Sequence, residues 1–188
     1  MEADIERCEA AYLRAHAGVP VSHLRFGINV KGVAMSMHAL EVVGPPGAPN
    51  IVMLHGTASA GASFARTFAA LSRTHTVIAL DLPGFGRSHV DGVAGGLECL
   101  VEAIEASRRA LGIYRATWIG HSFGAYLCAL YAADYPAQVD RLVLLSPAGI
   151  FPTLGATGAY WATVFKCSLP NAGRWLGGLG TRASMLAS

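Results

Sequence analysis

The stretch Gly120-His121-Ser122-Phe123-Gly124 constrains this chain more than any other. It fits the pattern G-x-S-x-G, and its flanks give the pattern a structural meaning. Arg115-Ala116-Thr117-Trp118-Ile119 before it reads as a short buried strand, and Ala125 to Ala133 after it reads as a helix. A strand that turns sharply into a helix, with serine at the tip, must hold that serine in a strained backbone conformation. Gly120 and Gly124 then have a steric purpose. A side chain at either would block the close approach of helix and strand, and Ala125 keeps the next position small. A serine hydroxyl presented on such a turn is a candidate nucleophile.

A second element points to the same chemistry. Ile51-Val52-Met53-Leu54 is a continuous apolar run, as expected for a fully buried parallel strand. His55-Gly56-Thr57-Ala58 follows it, and residues 63–71 read as a helix. Acyl transfer passes through a tetrahedral oxyanion that backbone N–H groups stabilise. One donor is expected at Phe123, the residue after the candidate nucleophile, and the other at Thr57, where Gly56 lets the loop backbone come close. The plain reading of His55 is a histidine that supports this loop through a hydrogen bond.

A third apolar strand, Thr76-Val77-Ile78-Ala79-Leu80, runs into Asp81-Leu82-Pro83-Gly84-Phe85-Gly86-Arg87-Ser88. Gly84-Phe85-Gly86 alone hints at a phosphate loop. The third glycine, the helix opening and a P-loop lysine are all missing, so that reading is set aside. Together, His55-Gly56, the segment Asp81 to Ser88 and Gly120 to Gly124 resemble the α/β-hydrolase superfamily. They resemble most its branch of lipases, esterases, lysophospholipases and related acylhydrolases. The resemblance covers roughly residues 30 to 150. It implies a mostly parallel α/β sheet with helices on both faces, truncated before the last strands. It also implies a serine hydrolase acting on a carboxylic ester, acyl or lipid, through Ser122. The triad order of that fold is Ser, then acid, then His, so His55, which precedes Ser122, is expected to support the loop rather than to catalyse.

The resemblance then stops. Arg141-Leu142-Val143-Leu144-Leu145 is the next strand, with Ser146 to Ile150 as its terminal turn. In the family, later strands supply the acid and the catalytic His. Beyond Ser122 this chain has no His, and its only acids are Asp134 and Asp140. Asp140 falls at the start of a strand, whereas active-site groups of such sheets sit at strand C-termini, so a solvated turn residue is expected there. Two explanations remain open: an incomplete form of a longer hydrolase, or a catalytically inactive module that uses the pocket to bind a lipid or a partner protein. The intact-looking turn and oxyanion loop, and an ending inside a segment, favour the first. Acyl transfer to an acceptor other than water would use the same residues.

Composition fits an enzyme-type domain. The 188 residues allow one sizeable core, and 53% apolar with 14% charged content suits a sheet covered on both faces. A net charge of +2 with no basic cluster argues against nucleic acid as a partner. Cys8, Cys99, Cys128 and Cys167 show no metal-type spacing and read as reduced thiols, so neither a metal nor a cofactor is expected. The acidic N-terminus is no signal peptide and no run of about 18 apolar residues occurs, so a cytoplasmic protein without a transmembrane segment is expected.

Residues 1–150 are expected to form the N-terminal part of the core, and 151–188 the start of a lid or cap. Within the core, residues 3–17 read as an amphipathic helix and 21–43 as one or two strands. Residues 96–111 read as a helix with Glu98, Glu102 and Glu105 on its polar side and Gly112 as its cap. In the cap, Trp161, Phe165 and Trp175 would line an acyl pocket, or touch a membrane surface peripherally. The expected ligand is a small apolar ester. The strand 141–145, with no later strand beside it, is expected to act as an exposed edge that promotes self-association.

Overall fold

The computed structural model describes residues 2–92 and 96–148. The expected cap, residues 151–188 with Cys167, lies outside the described residues. The chain opens with helix α1, Glu2–His16. Strands β1, Ser22–Val30, and β2, Val33–Val42, then form an antiparallel hairpin, so the stretch expected as one or two strands is two. Next come β3, Asn50–Leu54; a 3-10 turn, Gly61–Phe64; α2, Ala65–Leu71; β4, Thr76–Leu80; and β5, His89–Val90. Helix α3, Leu97–Ala110, strand β6, Ala116–His121, helix α4, Phe123–Asp134, and strand β7, Val139–Leu145, complete the described chain.

The strands make one sheet in the order β1-β2-β4-β3-β6-β7, with the two-residue β5 paired to β2. Strand β2 of the hairpin is antiparallel to β4, while β4, β3, β6 and β7 run parallel. This is the mostly parallel α/β sheet that the buried apolar runs imply. The register sets Leu54 opposite both Leu80 and Gly120. The C-terminal ends of β3, β4 and β6 therefore lie side by side, and the segments starting at His55, Asp81 and Ser122 leave the sheet from one edge. Ligand sites of parallel sheets form at that edge.

Both faces of the sheet are covered, and Ile51–Leu54 of β3 and Val77–Leu80 of β4 are correspondingly apolar. Alternate residues face opposite ways in a strand. Val52, Leu54, Ile78, Leu80 and Trp118 join one core with α3 and α4, including Leu100, Ile104, Leu127 and Tyr131. Ile51, Met53, Val77 and Ala79 join a second with Leu13 of α1 and Phe64 and Phe68 around α2. Cys99 and Cys128 belong to the first core, and burial pushes the Cys128 thiol above its ordinary range.

One expectation about α3 fails. Glu105 is buried, not on the polar side of the helix. Its carboxylate accepts bonds from Arg108 at 2.8 Å, from Arg109 at 2.6 Å and from the Tyr131 hydroxyl of α4 at 2.7 Å. Burial opposes ionisation, but these three donors win and hold the carboxyl at about 2. A buried charge with that many partners ties α3 to α4; helical spacing alone could not reveal it.

Candidate functional site

Ser122 stands between β6 and α4 with φ 53 and ψ −115. Non-glycine residues pay for such a conformation with about 1–3 kcal/mol, so the surrounding bonds must enforce it. The Ser122 N–H donates to the Leu145 carbonyl at 2.9 Å. Its own carbonyl accepts from Ala125 and Tyr126 in the first turn of α4, and from Ala148 beyond β7. The backbone of Ser122 is thus pinned from two sides.

The glycines let three backbone segments meet here. A Cβ on Gly120 would fall 2.4 Å from Ala125 Cα, and one on Gly124 would fall 2.1 Å from the Leu54 carbonyl oxygen. A Cβ on Gly56 would stand 3.2 Å from both the Ser122 Cβ and the His121 Nδ1. The β3 loop therefore lies directly against Ser122, and His121 flanks both. Thr57 follows Gly56, and its Oγ1 is buried with no hydrogen-bond partner among the described residues. Phe123 is the first residue of α4, with its side chain in the core.

His55 is fully buried and spent on the backbone. Its Nδ1–H donates to the Gly56 carbonyl at 2.7 Å, and its Nε2 accepts the Leu82 N–H at 3.0 Å. Both contacts fix the neutral ring in one tautomer. Burial lowers its pKa, outweighing the opposite pull of the Gly56 carbonyl and Asp81. The ring joins the loop after β3 to the loop after β4. It has no nitrogen left for proton transfer to Ser122.

Sequence reasoning missed a second clamp, centred on Asp81. This fully buried carboxylate accepts from the Gly61 N–H at 2.6 Å and the Arg87 N–H at 2.9 Å, and pairs with His38 Nδ1 at 2.8 Å. Burial works against its ionisation, but the His38 bond and the two backbone donors together lower its pKa. Ser88 adds two bonds, accepting the His38 N–H and donating to the Asp81 carbonyl. A signal existed: a lone acid at the C-terminal end of an all-apolar strand has to be buried and therefore partnered. His38, inside an alternating strand, gave no matching hint.

The acids after Ser122 fall elsewhere. Asp134 ends α4. Asp140 pairs with Arg115 at 2.9 Å, both substantially exposed. Because β7 runs parallel to β6, with Leu145 opposite His121, Asp140 lies at the far end of the sheet from Ser122.

Comparison with known proteins agrees with this architecture. Residues 49–169 match the alpha/beta hydrolase fold family. A 1-acylglycerol-3-phosphate O-acyltransferase of Arabidopsis thaliana is 30% identical over 157 residues, 81% of this chain and 37% of that protein. Human 1-acylglycerol-3-phosphate O-acyltransferase ABHD5 is 40% identical over 106 residues, 54% of this chain and 30% of that protein. The chain thus spans about a third of the length of the curated relatives it matches. Among solved structures, a probable hydrolytic enzyme of Pseudomonas aeruginosa superposes with a TM-score of 0.62 at 35% identity, covering 71% of this chain and 43% of its own. Naproxen esterase of Bacillus subtilis gives 0.69 at 21% identity, covering 86% and 54%, a likeness of fold. The mixed sheet, the strained Ser122 between β6 and α4, and the match over residues 49–169 place this chain in the α/β-hydrolase fold family.

Proposed function

We propose that Ser122 is an acyl-transfer nucleophile, attacking the carbonyl of an apolar carboxylic ester. The observation that carries this reading is the contact between Gly56 and Ser122. It sets the loop after β3 beside a serine whose backbone is held at positive φ. In this reading Ser122 Oγ attacks the ester carbonyl, and the N–H groups of Thr57 and Phe123 bind the oxyanion. Gly120 and Gly124 permit the turn, and His55 and Gly56 hold the loop. The intermediate collapses with cleavage of the ester C–O bond, the alcohol leaving with the proton that the base took from Ser122. The acyl group on Ser122 then passes to water, or to a hydroxyl acceptor as the names of the acyltransferase relatives suggest. A serine hydroxyl needs a base to take its proton. His55 and His38 are committed to other bonds, and in this reading the base and its acid partner come from outside the described residues. A second reading, a lipid- or partner-binding module without catalysis, uses the same surface around Ser122 and rests on that lack of a described base.

The test is reaction with an alkyl fluorophosphonate, followed by peptide mass spectrometry, on the chain and on Ser122→Ala. The expected result is slow, selective modification of Ser122, with p-nitrophenyl ester turnover by the 188-residue chain well below about 1 per second. No adduct at Ser122 would overturn the nucleophile and leave the binding module. A Ser122-dependent rate of about 1 per second or more would instead show a base within these residues.

A further inference from the structure

Away from Ser122, three side chains from distant parts of the chain bring metal-ligating atoms together. They are Glu9 Oε1 from α1, His23 Nδ1 from β1 and His38 Nε2 from β2, all within 4.8 Å of one another. His23 Nδ1 is 3.0 Å from His38 Nε2 and 3.6 Å from Glu9 Oε1. Ligands of a tetrahedral zinc ion with bonds near 2.0–2.1 Å stand about 3.4 Å apart. The cluster is within side-chain adjustment of that spacing.

The protonation logic points to a cation. Asp81 Oδ2, 2.8 Å from His38 Nδ1, fixes the hydrogen of the neutral ring there and leaves a lone pair on Nε2. The Arg87 guanidinium, which can only donate, has Nη1 3.0 Å from His23 Nδ1. The two ring nitrogens stand 3.0 Å apart, close enough to share a hydrogen bond or to ligate one ion. The cluster also holds two buried carboxylates, Glu9 and Asp81. Arg87 is the cation that answers them in this structure. Its Nη1 also donates to Glu9 Oε1 at 3.1 Å, while its Nε is buried without a hydrogen-bond partner among the described residues. The guanidinium fits its cage incompletely. Its Nη2 is held by the half-exposed Glu6.

We propose that Glu9, His23 and His38 form a site for a zinc-class divalent cation, with Asp81 orienting His38 and Arg87 moving aside when the ion enters. Two imidazoles and one carboxylate suit zinc, cobalt or nickel and disfavour the hard ions calcium and magnesium. Three protein ligands leave the fourth position to solvent. The Asp81–His38 pair is the carboxylate–histidine arrangement that raises ligand basicity in metal sites. The ion would pin α1 to the β1–β2 hairpin and, through Asp81, to the Gly61 N–H at the far end of the β3 loop. This inference is independent of the reaction proposed for Ser122.

The experiment uses chelator-treated chain, titrated with Zn²⁺ against a chromophoric chelator and with Co²⁺ by visible absorption. Wild type is expected to bind one Zn²⁺ with micromolar or tighter affinity, to give the intense absorption of four-coordinate Co²⁺, and to melt several degrees higher with zinc. Mg²⁺ and Ca²⁺ should do neither. His23→Ala, at a partly exposed position where folding is safe, should weaken zinc binding at least 10-fold. Asp81→Asn should weaken it 10–100-fold. Arg87→Met, which removes the competing cation, should tighten binding several-fold. Absence of zinc binding below about 100 μM in folded wild type, or equal affinity in folded His23→Ala, overturns the site and leaves the pair with a shared proton. Unchanged affinity in Arg87→Met overturns the role given to Arg87.

Discussion

Gly124→Ala tests the packing that holds α4 against β3. The added Cβ would lie 2.1 Å from the Leu54 carbonyl oxygen and 2.5 Å from that of His55. Both oxygens are backbone atoms, so no side chain can rotate to make room. Strand β3 is also bonded on both sides, to β4 and β6. An ordinary contact of about 3.4 Å requires a shift of about 1.3 Å between helix and strand. Overpacking of this kind costs about 1–3 kcal/mol and lies at the upper end where backbone must move. Alanine returns about 0.5–1 kcal/mol as the better helix former. The net loss is about 2 kcal/mol, a fall in Tm of about 4–8 °C for a chain of this size. Gly27→Ala is the matched control, because a Cβ there has nothing within 4 Å. Thermal unfolding by circular dichroism of wild type and both variants is the assay. A Gly124→Ala Tm within 2 °C of wild type would refute the claim that the strand and helix are in backbone contact.

Three further outcomes follow from the buried polar groups and the outer strand. His55→Ala leaves the buried Leu82 N–H and Gly56 carbonyl without partners and should lower stability by about 2–4 kcal/mol in urea unfolding. Because burial lowers the folded pKa of His55 from 6.5, its contribution is complete above about that pH and falls as pH drops below it; the variant should show a shallower loss between pH 7.5 and 5.5, and an equal slope would sink this account. Glu105, held at about 2 against an ordinary 4.5, contributes stability that is complete above pH 4.5 and disappears toward pH 2, so Glu105→Gln should flatten acid unfolding in that window. Leu142, Val143 and Leu145 of β7 are exposed among the described residues, and the 188-residue chain should self-associate in light scattering and do so less as Val143→Lys; a monomeric wild type would refute it.

Much of the fold is legible because the parallel strands announce themselves locally, whereas the two-residue β5 gives no such signal. Ile51–Leu54 and Thr76–Leu80 are unbroken apolar runs, and the structure buries both on two faces. The strand–Ser122–helix turn and the 55–57 loop are legible for a similar reason: glycines and small residues cluster where backbones meet. Helix and strand limits move by one or two residues, as with α4, which starts at Phe123 rather than Ala125. Glu105 misleads because helical spacing treats every acid as a surface residue, and only the neighbouring helix supplies Tyr131. The cluster of Glu9, His23 and His38 is hidden for the same reason. Its members lie on three elements, and nothing local to any of them predicts that the hairpin and α1 will converge.

The part that sequence could not supply is what holds the Ser122 site in shape. The loop after β3 has two ends, and each is tied to the loop after β4. At the near end His55 bridges Gly56 and Leu82; at the far end Asp81 takes the Gly61 N–H. Asp81 in turn is fixed by His38 of β2 and by the Arg87 N–H. The position of the loop beside Ser122 is therefore set by β2 and β4 as well as by β3 and β6. A strand–turn–helix taken from residues 116–134 alone would lack both the bonds from Leu145 and Ala148 that pin Ser122 and the loop that it faces. This division also explains why His55 and Asp81, the polar residues immediately after β3 and β4, are both fully buried. Each spends its side chain on backbone N–H or C=O groups that would otherwise lie unsatisfied at the C-terminal edge of the sheet.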